Sequence, residues 1–316
     1  MELFPLKMFG FERNYMDNKK YYYKIYGLTL ASDYEFPQFI KLTEEPKETD
    51  IEIIYGGIPD FIKPKIQEGY YKGIKKDQMW FYNSAGLFYI HDKKTINFIE
   101  YNKGTIDDAA LFLPGLCLAV LLWYRKMLMI HGACLRIKDK TIIVAGNSGA
   151  GKSTLTTELI KRGALLMADD VTGIAFENGE FISYPAFPVQ KLCEDQIQKN
   201  NLDTANLRQV RYDLNKYEVT RENEFYNNPA KVDALFRVEV KDVPELTKQE
   251  VTGGDKLKVV IDCIFINWLF NEFFRLEPDD MVRCIGLSNQ IAIHRICRNK
   301  KQNTLNEILG YIESNV

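Results

Sequence analysis

Eight residues constrain this chain more than any other stretch: Gly146-Asn147-Ser148-Gly149-Ala150-Gly151-Lys152-Ser153. They fit the phosphate-loop pattern G-x-x-x-x-G-K-[ST]. At average residue frequencies the pattern arises by chance about once in a hundred chains of this length. The flanks make chance rarer still. Thr141-Ile142-Ile143-Val144-Ala145 is a short β-branched apolar run and reads as a buried strand. Residues 152–162 place Leu155, Leu159 and Ile160 on one face, with Lys161 and Arg162 in the last turn and Gly163 as a stop. Strand, glycine-rich turn and helix in that order require an α/β core.

The chemistry follows from the geometry. Glycines at 146, 149 and 151 allow a tight backbone whose N–H groups converge on phosphate oxygens. The helix beginning there adds its positive end. Nucleotide contacts are therefore expected from Gly146, Asn147, Ser148, Gly149, Ala150, Gly151, Lys152, Ser153 and Thr154. Lys152 reaches β- and γ-phosphates, and the Ser153 hydroxyl suits Mg²⁺. Residues 164–168 form a second apolar strand that ends in Asp169-Asp170. The crossover helix sets that pair beside the bound phosphates. Two adjacent carboxylates suit two tasks, one holding Mg²⁺ and the other taking a proton from an attacking hydroxyl. The alternative is a solvated turn after a strand.

Ile130-His131-Gly132, the strand, residues 146–154, Glu158-Leu159-Ile160-Lys161-Arg162-Gly163 and Ala168-Asp169-Asp170-Val171 together resemble the catalytic core of the HPr kinase/phosphorylase family. That family phosphorylates a serine on a protein and is related to phosphoenolpyruvate carboxykinase. The resemblance implies an α/β phosphate-loop kinase core of the HPr kinase/PEP carboxykinase type, with ATP and Mg²⁺ as cofactors. It also implies that Asp169 is the general base toward a serine hydroxyl, that Asp170 and Ser153 serve Mg²⁺, and that His131 lies against the Asp pair with a catalytic role beside Lys152. On its residues alone, His131 reads as a packed strand histidine.

A second resemblance rests on Tyr26-Gly27-Leu28, Phe36-Pro37 and Asp50-Ile51-Glu52-Ile53. These are similar to the opening of HPr-kinase-like proteins encoded with lasso peptides and other ribosomally made peptides, which phosphorylate a precursor-peptide serine. The glycine- and arginine-containing signature that follows the Asp pair in HPr kinases is absent. The Tyr184-Pro185 to Lys191-Leu192 run looks like the peptide-kinase group instead. This departure weakens HPr as the acceptor and weakens a reverse phosphorylase reaction.

A net charge of −2 over 316 residues gives no global pull toward nucleic acid or an anionic membrane. Six cysteines without C-x-x-C or metal-type spacing read as reduced core residues of a cytoplasmic protein. The N-terminus lacks the pattern of a signal peptide. The most apolar segment, residues 109–123, is interrupted by Pro114-Gly115 and is too short to cross a bilayer, so it reads as a buried helix.

In chain order, residues 1–20 read as irregular and 21–30 as one strand. Strands follow over 50–55, 79–82, 86–90 and 94–99, and His91 reads as an exposed turn residue. This gives an N-terminal mostly β domain, 1–105, suited to holding a substrate or partner, and a catalytic domain, 106–316. Residues 107–127 join the two as a helix. Residues 129–137 pair with the loop-bearing strand, and Asn178-Gly179 turns a hairpin. Residues 194–231 read as helices and loops over the site mouth; Arg208 and Arg211 are candidates to neutralise phosphate or meet an acidic peptide, while each alone reads as solvated surface. Residues 257–276, with Trp268 and Phe270, read as a strand running into a helix. A late strand over 291–297 gives His294 and Arg295 structural roles, and 304–312 is a closing helix. The expected activity is ATP-dependent transfer of a γ-phosphoryl group to a serine of a peptide, a lasso-type precursor above all. A nucleotide-gated binding protein and a kinase of HPr or of a small hydroxyl compound are the alternatives. A peptide or protein partner and a homo-oligomer are among the expectations; nucleic acid and membrane are not.

Overall fold

The computed structural model describes residues 19–102, 104–211, 214–267 and 276–316, with only the backbone described at 206, 211 and 214. The readings for residues 1–18 and for Trp268 and Phe270 lie outside the described residues.

The fold is mixed α/β, with a mostly β first half. Strands β1 (Tyr21–Ile25), β2 (Leu28–Ser32), β3 (Ile40–Lys41), β4 (Ile51–Tyr55), β5 (Lys72–Lys75), β6 (Gln78–Tyr82), β7 (Gly86–His91) and β8 (Thr95–Glu100) make one eight-stranded sheet in the order β3-β1-β2-β4-β8-β7-β6-β5. The short helix α1 (Ile62–Gln67) precedes β5. Residues 21–30 are two strands rather than the single one expected. The chain turns at Tyr26 (φ 49°) and Gly27 (φ 75°), both left-handed as a two-residue hairpin turn requires. The alternation of apolar residues continues across the turn, which hides it. Its tip is buried: the Tyr26 hydroxyl donates to the Val171 carbonyl at 3.0 Å, and the Gly27 backbone lies against the Tyr184 ring. His91 closes β7 instead of standing in a turn. Its ring stacks on Tyr89 and bonds Asp92 and Asn97.

Helices α2 (Ile106–Ala110) and α3 (Leu118–Tyr124) are joined by one wider turn, Leu113–Cys117. Pro114 offers no N–H to the ladder, and the Cys117 N–H instead reaches back five residues to the Phe112 carbonyl at 3.2 Å. The helical stretch Ile106–Tyr124 follows the helix expected over 107–127, ending three residues earlier. At 19 residues and mean hydropathy 1.8 it is long and apolar enough to cross a membrane, yet it lies largely inside the fold, with Leu118, Val120, Leu121 and Leu122 fully buried.

The second large sheet contains β9 (Leu128–Ile137), β10 (Lys140–Gly146), β11 (Leu165–Ala168), β12 (Val171–Glu177), β13 (Glu180–Tyr184), β17 (Ala230–Lys231), β18 (Ala234–Val240), β19 (Thr247–Glu250) and β20 (Ala292–Arg298). Its order is β17-β13-β12-β9-β10-β18-β20-β19, with β11 also on β9. Strands β10, β18 and β20 run parallel. Helix α4 (Lys152–Lys161) and the last helix, 305–314, cover one face over Leu155, Leu159, Phe236 and Ile308. The other face shares one continuous buried cluster with the first sheet, in which Tyr23, Phe88 and Phe98 join Ile143, Met167 and Val171.

A third sheet was not anticipated. β14 (Val189–Cys193), β15 (Arg208–Arg211) and β16 (Leu214–Thr220) pair in the order β14-β16-β15, the last two within 194–231, where helices and loops were expected. Helix α5 (Glu194–Lys199) follows β14. Residues 255–262 form a helix, α6, correcting the expected strand; its β-branched run buries Val259 and Val260 on one face. Helix α7 (Pro278–Gln290) was missed because its polar positions blur the periodicity. The last helix is α8 (Leu305–Ser314). His294 is buried, stacks on Phe236 and bonds the Tyr311 hydroxyl through Nδ1 at 3.0 Å, as expected of a structural residue. All six cysteines are free thiols, and five are buried.

Candidate active site

The site assembles where β10 ends. Gly146 (φ 152°) leaves the strand, Gly149 (φ 78°) bends the loop, and Gly151 (φ 100°) starts α4. A Cβ on Gly146 would lie 2.3 Å from the Val238 carbonyl, so close packing on β18 excludes any side chain. Asn147, Ser148 and Gly149 are exposed, and Ala150 is buried under them. The first amides of α4, at Lys152, Ser153 and Thr154, have no partners within the helix. The loop thus presents donors and a helix start at one point, as an anion site requires.

Lys152 is anchored at this point. Its ammonium donates to the Gly146 carbonyl at 2.5 Å and the Asn147 carbonyl at 3.3 Å, and lies 3.1 Å from His131 Nε2. Burial pulls the Lys152 amine below its ordinary range, against the opposing pull of Asp170 and Asp169. Burial, and then the Lys152 charge, also lowers the His131 imidazole, so it is neutral near pH 7. Nε2 then accepts from Lys152, and the ring proton sits on Nδ1, which faces Asp170 at 4.0 Å. His131 is held by its N–H to the Cys263 carbonyl at 2.7 Å and by stacking on Phe265.

The Asp pair owes its position to a kink. β11 and β12 both pair with β9: Ala168 lies opposite Cys134 and Val171 opposite His131. Between them the Val171 N–H closes onto the Asp169 carbonyl at 2.6 Å, and Asp170 takes φ 63°. This i→i+2 turn with a left-handed middle residue is rare and strained, and strain of this kind gathers at functional sites. It faces His131 and Gly132 across the ladder, and the Gly132 N–H holds the Asp170 carbonyl at 3.1 Å.

The two carboxyls differ. Burial, with the neighbouring Asp170 charge, pushes Asp169 up to about 6, even though the Lys191 N–H donates to its Oδ2 at 2.9 Å. Asp170 is also raised by burial, but Lys191, His131, Lys216 and Lys152 together outweigh that and hold it below the ordinary range. The Lys191 ammonium lies 3.7 Å from Asp170 Oδ2. One carboxylate titrates near neutrality beside one that stays ionised, and such a split marks acid–base and charge-holding roles.

The sequence named Asp169, Asp170, His131, Lys152, Ser153 and the loop, and the structure brings these together. It also adds groups the sequence did not single out. The Arg221 guanidinium bonds Gln190 Oε1 at 2.9 and 3.1 Å, and Gln190 Nε2 bonds Thr156 Oγ1 at 2.8 Å, which ties β14 to the loop helix. A late arginine, Arg298, reaches the loop, with Nε 3.4 Å from the Ala150 carbonyl. Arg208 bonds Gln38 at 3.2 Å and sits 3.9 Å from Glu218, at the junction with the first sheet.

Residues 124–192 match the family model described as the HPr Serine kinase C-terminal domain. This is an HPr kinase-like protein. HPr kinase/phosphorylase of Treponema pallidum (strain Nichols) is 40% identical over 87 residues, 28% of this chain and 27% of that one. The protein of the same name from Aromatoleum aromaticum is 46% identical over 89 residues, 27% of this chain and 26% of that one. The one from Ralstonia pickettii is 30% identical over 163 residues, 49% of this chain and 48% of that one. The chain thus spans about half or less of the length of these curated relatives. Among solved structures, the Hpr(Ser) kinase/phosphatase from Coxiella burnetii superposes with TM-score 0.33 and 14% identity, over 59% of this chain and 89% of that one.

Proposed function

We propose that this HPr kinase-like protein is an ATP-dependent, cytoplasmic serine kinase whose acceptor is a peptide or protein, with a ribosomally made, lasso-type precursor peptide as the first candidate. The reading rests on one observation above all. A strained turn at Asp169-Asp170 holds a carboxyl that titrates near pH 6 beside an ionised one, next to Lys152 and His131 at the phosphate loop. The kinase resemblance and the family match over residues 124–192 support it.

In this mechanism the loop amides and Lys152 hold the β- and γ-phosphates of ATP. Asp169 Oδ1 takes the proton of the acceptor serine as the serine oxygen bonds to the γ-phosphorus, and the bond to the β,γ-bridging oxygen breaks, releasing ADP. Lys152, positioned by the Gly146 carbonyl and His131, offsets charge on the transferring group. Among the described residues no group of three His, Cys, Asp or Glu side chains is arranged to hold a metal. The donors present, the ionised Asp170 carboxylate and the Ser153 hydroxyl, are the hard oxygen ligands that Mg²⁺ takes alongside substrate phosphates. When bound, Mg²⁺ would neutralise phosphate charge. We assign residues 1–105 as the domain that engages the acceptor; Gln38, bonded to Arg208, marks where that domain meets the site.

The test is incubation with ATP, Mg²⁺ and candidate precursor peptides, read by mass spectrometry. One added phosphate on a serine is expected. Nucleotide binding with no transfer to any peptide or protein acceptor would replace this reading with that of a nucleotide-gated binding protein.

A further inference from the structure

β14 and β16 pair in a fixed register, with Lys191 opposite Glu218 and Cys193 opposite Lys216. Opposite residues, and residues two apart, share one face of a sheet. Lys191, Glu218 and Lys216 therefore project to the same side. The direction of that side is known, because the Lys191 ammonium lies 3.7 Å from Asp170 Oδ2. The cations around the Asp pair can then be sorted by what already holds them. Lys152 is engaged by two loop carbonyls and His131. Lys191 is engaged by Asp170, and its backbone N–H by Asp169. Glu218 pairs with Arg208 on the next strand. Lys216 has no hydrogen bond or ion pair among the described residues, although its charge acts on His131, Lys152, Asp169 and Asp170 together.

An ammonium with no partner among the described residues, overlooking two carboxylates and a phosphate loop, is placed to receive an anion. A nucleoside triphosphate brings more negative charge than Lys152 balances alone, and the γ-phosphate carries the largest single share of it. From the shared face of β14 and β16, we propose that Lys216 is the second cation on the γ-phosphate, contacting the transferring group that Lys152 and the loop amides hold from the helix side. Lys216 lies beyond residues 124–192, which the family model matches, so that model assigns it nothing. The inference rests on the nucleotide reading above and adds a residue to it.

The contact distinguishes nucleotides by their third phosphate. Wild-type protein, Lys216→Met and Lys216→Arg are titrated by calorimetry with Mg²⁺ and the β,γ-imido analogue of ATP, and separately with Mg²⁺ and ADP. Lys216→Met is expected to weaken the imido analogue by about tenfold or more, and ADP by no more than about twofold. Lys216→Arg should restore most of the difference. Lys216→Gln repeats the measurement with a shorter, uncharged side chain should the Met variant fold poorly. Equal losses on both nucleotides, or no loss on either, overturn the role of Lys216 while leaving the kinase reading intact. Wild-type protein that binds neither nucleotide overturns both.

Discussion

The two large sheets contain the same kinds of residue and place them differently. In the first sheet, left-handed residues serve turns, such as Tyr26-Gly27 and Asp92-Lys93, and ion pairs such as Lys94–Glu52 lie partly exposed at the surface. In the second, Gly146, Gly149, Gly151 and Asp170, all with positive φ, gather around one spot, and the charged groups there are partly withdrawn from water. Backbone strain and buried charge are both costly, and here they coincide. The first sheet shows what this chain does when only packing matters, so the excess in the second is what the proposed phosphate chemistry has to account for.

The sharpest way to break that contrast is Asp169→Asn. Phosphoryl transfer should fall by about a thousandfold or more while nucleotide binding persists, measured by labelled-phosphate transfer alongside calorimetry. In the unaltered protein the carboxyl must be ionised to accept a proton. The transfer rate should therefore rise about tenfold per pH unit below about 6 and level off above it. Stability runs the other way. Between about pH 4, the unfolded carboxyl's value, and about 6 the folded protein keeps a proton that the unfolded chain releases. Stability should thus fall through that window as pH rises, and Asp169→Asn should remove that slope in denaturant titrations.

Next in size is Gly146→Ala, where a methyl would meet the Val238 carbonyl at a φ of 152°. A loss of about 3 kcal/mol is expected, read as a lowered melting temperature together with lost nucleotide affinity. Tyr26→Phe deletes the hydroxyl that joins the sheets at Val171. It should cost about 1–2 kcal/mol and leave ATP affinity unchanged. Smallest is Lys94→Ala, which removes the 2.8 Å pair with Glu52. Its effect on the melting curve should stay within about 0.5 kcal/mol; a larger loss would mean that the first sheet also stores energy in its charges.

What the sequence revealed follows the same division. The strand–loop–helix unit, the β9–β10 hairpin and the Asp pair were legible because motif and apolar period agree there. β16 was not: Lys216 and Glu218 face the site instead of the core, so the strand's alternation reads as mixed polarity. α6 was read as a strand because Val259, Val260 and Ile261 are β-branched, and tertiary packing overrode that preference. The Tyr26-Gly27 turn was hidden because an aromatic in a left-handed turn is rare. It is accommodated where Gly173 leaves room for the ring. Lys191 appeared in the sequence only as part of a family-like run; its contact with Asp170 comes from its N–H docking on Asp169, 22 residues away, which no local pattern encodes.

The apolar cluster in which Tyr23, Phe88 and Phe98 meet Ile143, Met167 and Val171 has a consequence for how such a protein can change. The loop-bearing part is not a portable cassette: severed from the front sheet, it would turn an oily wall toward water. Under the proposed kinase reading, new acceptors have to be acquired by editing outer surfaces in place, since exchanging the front half would unmake the floor on which the two aspartates stand.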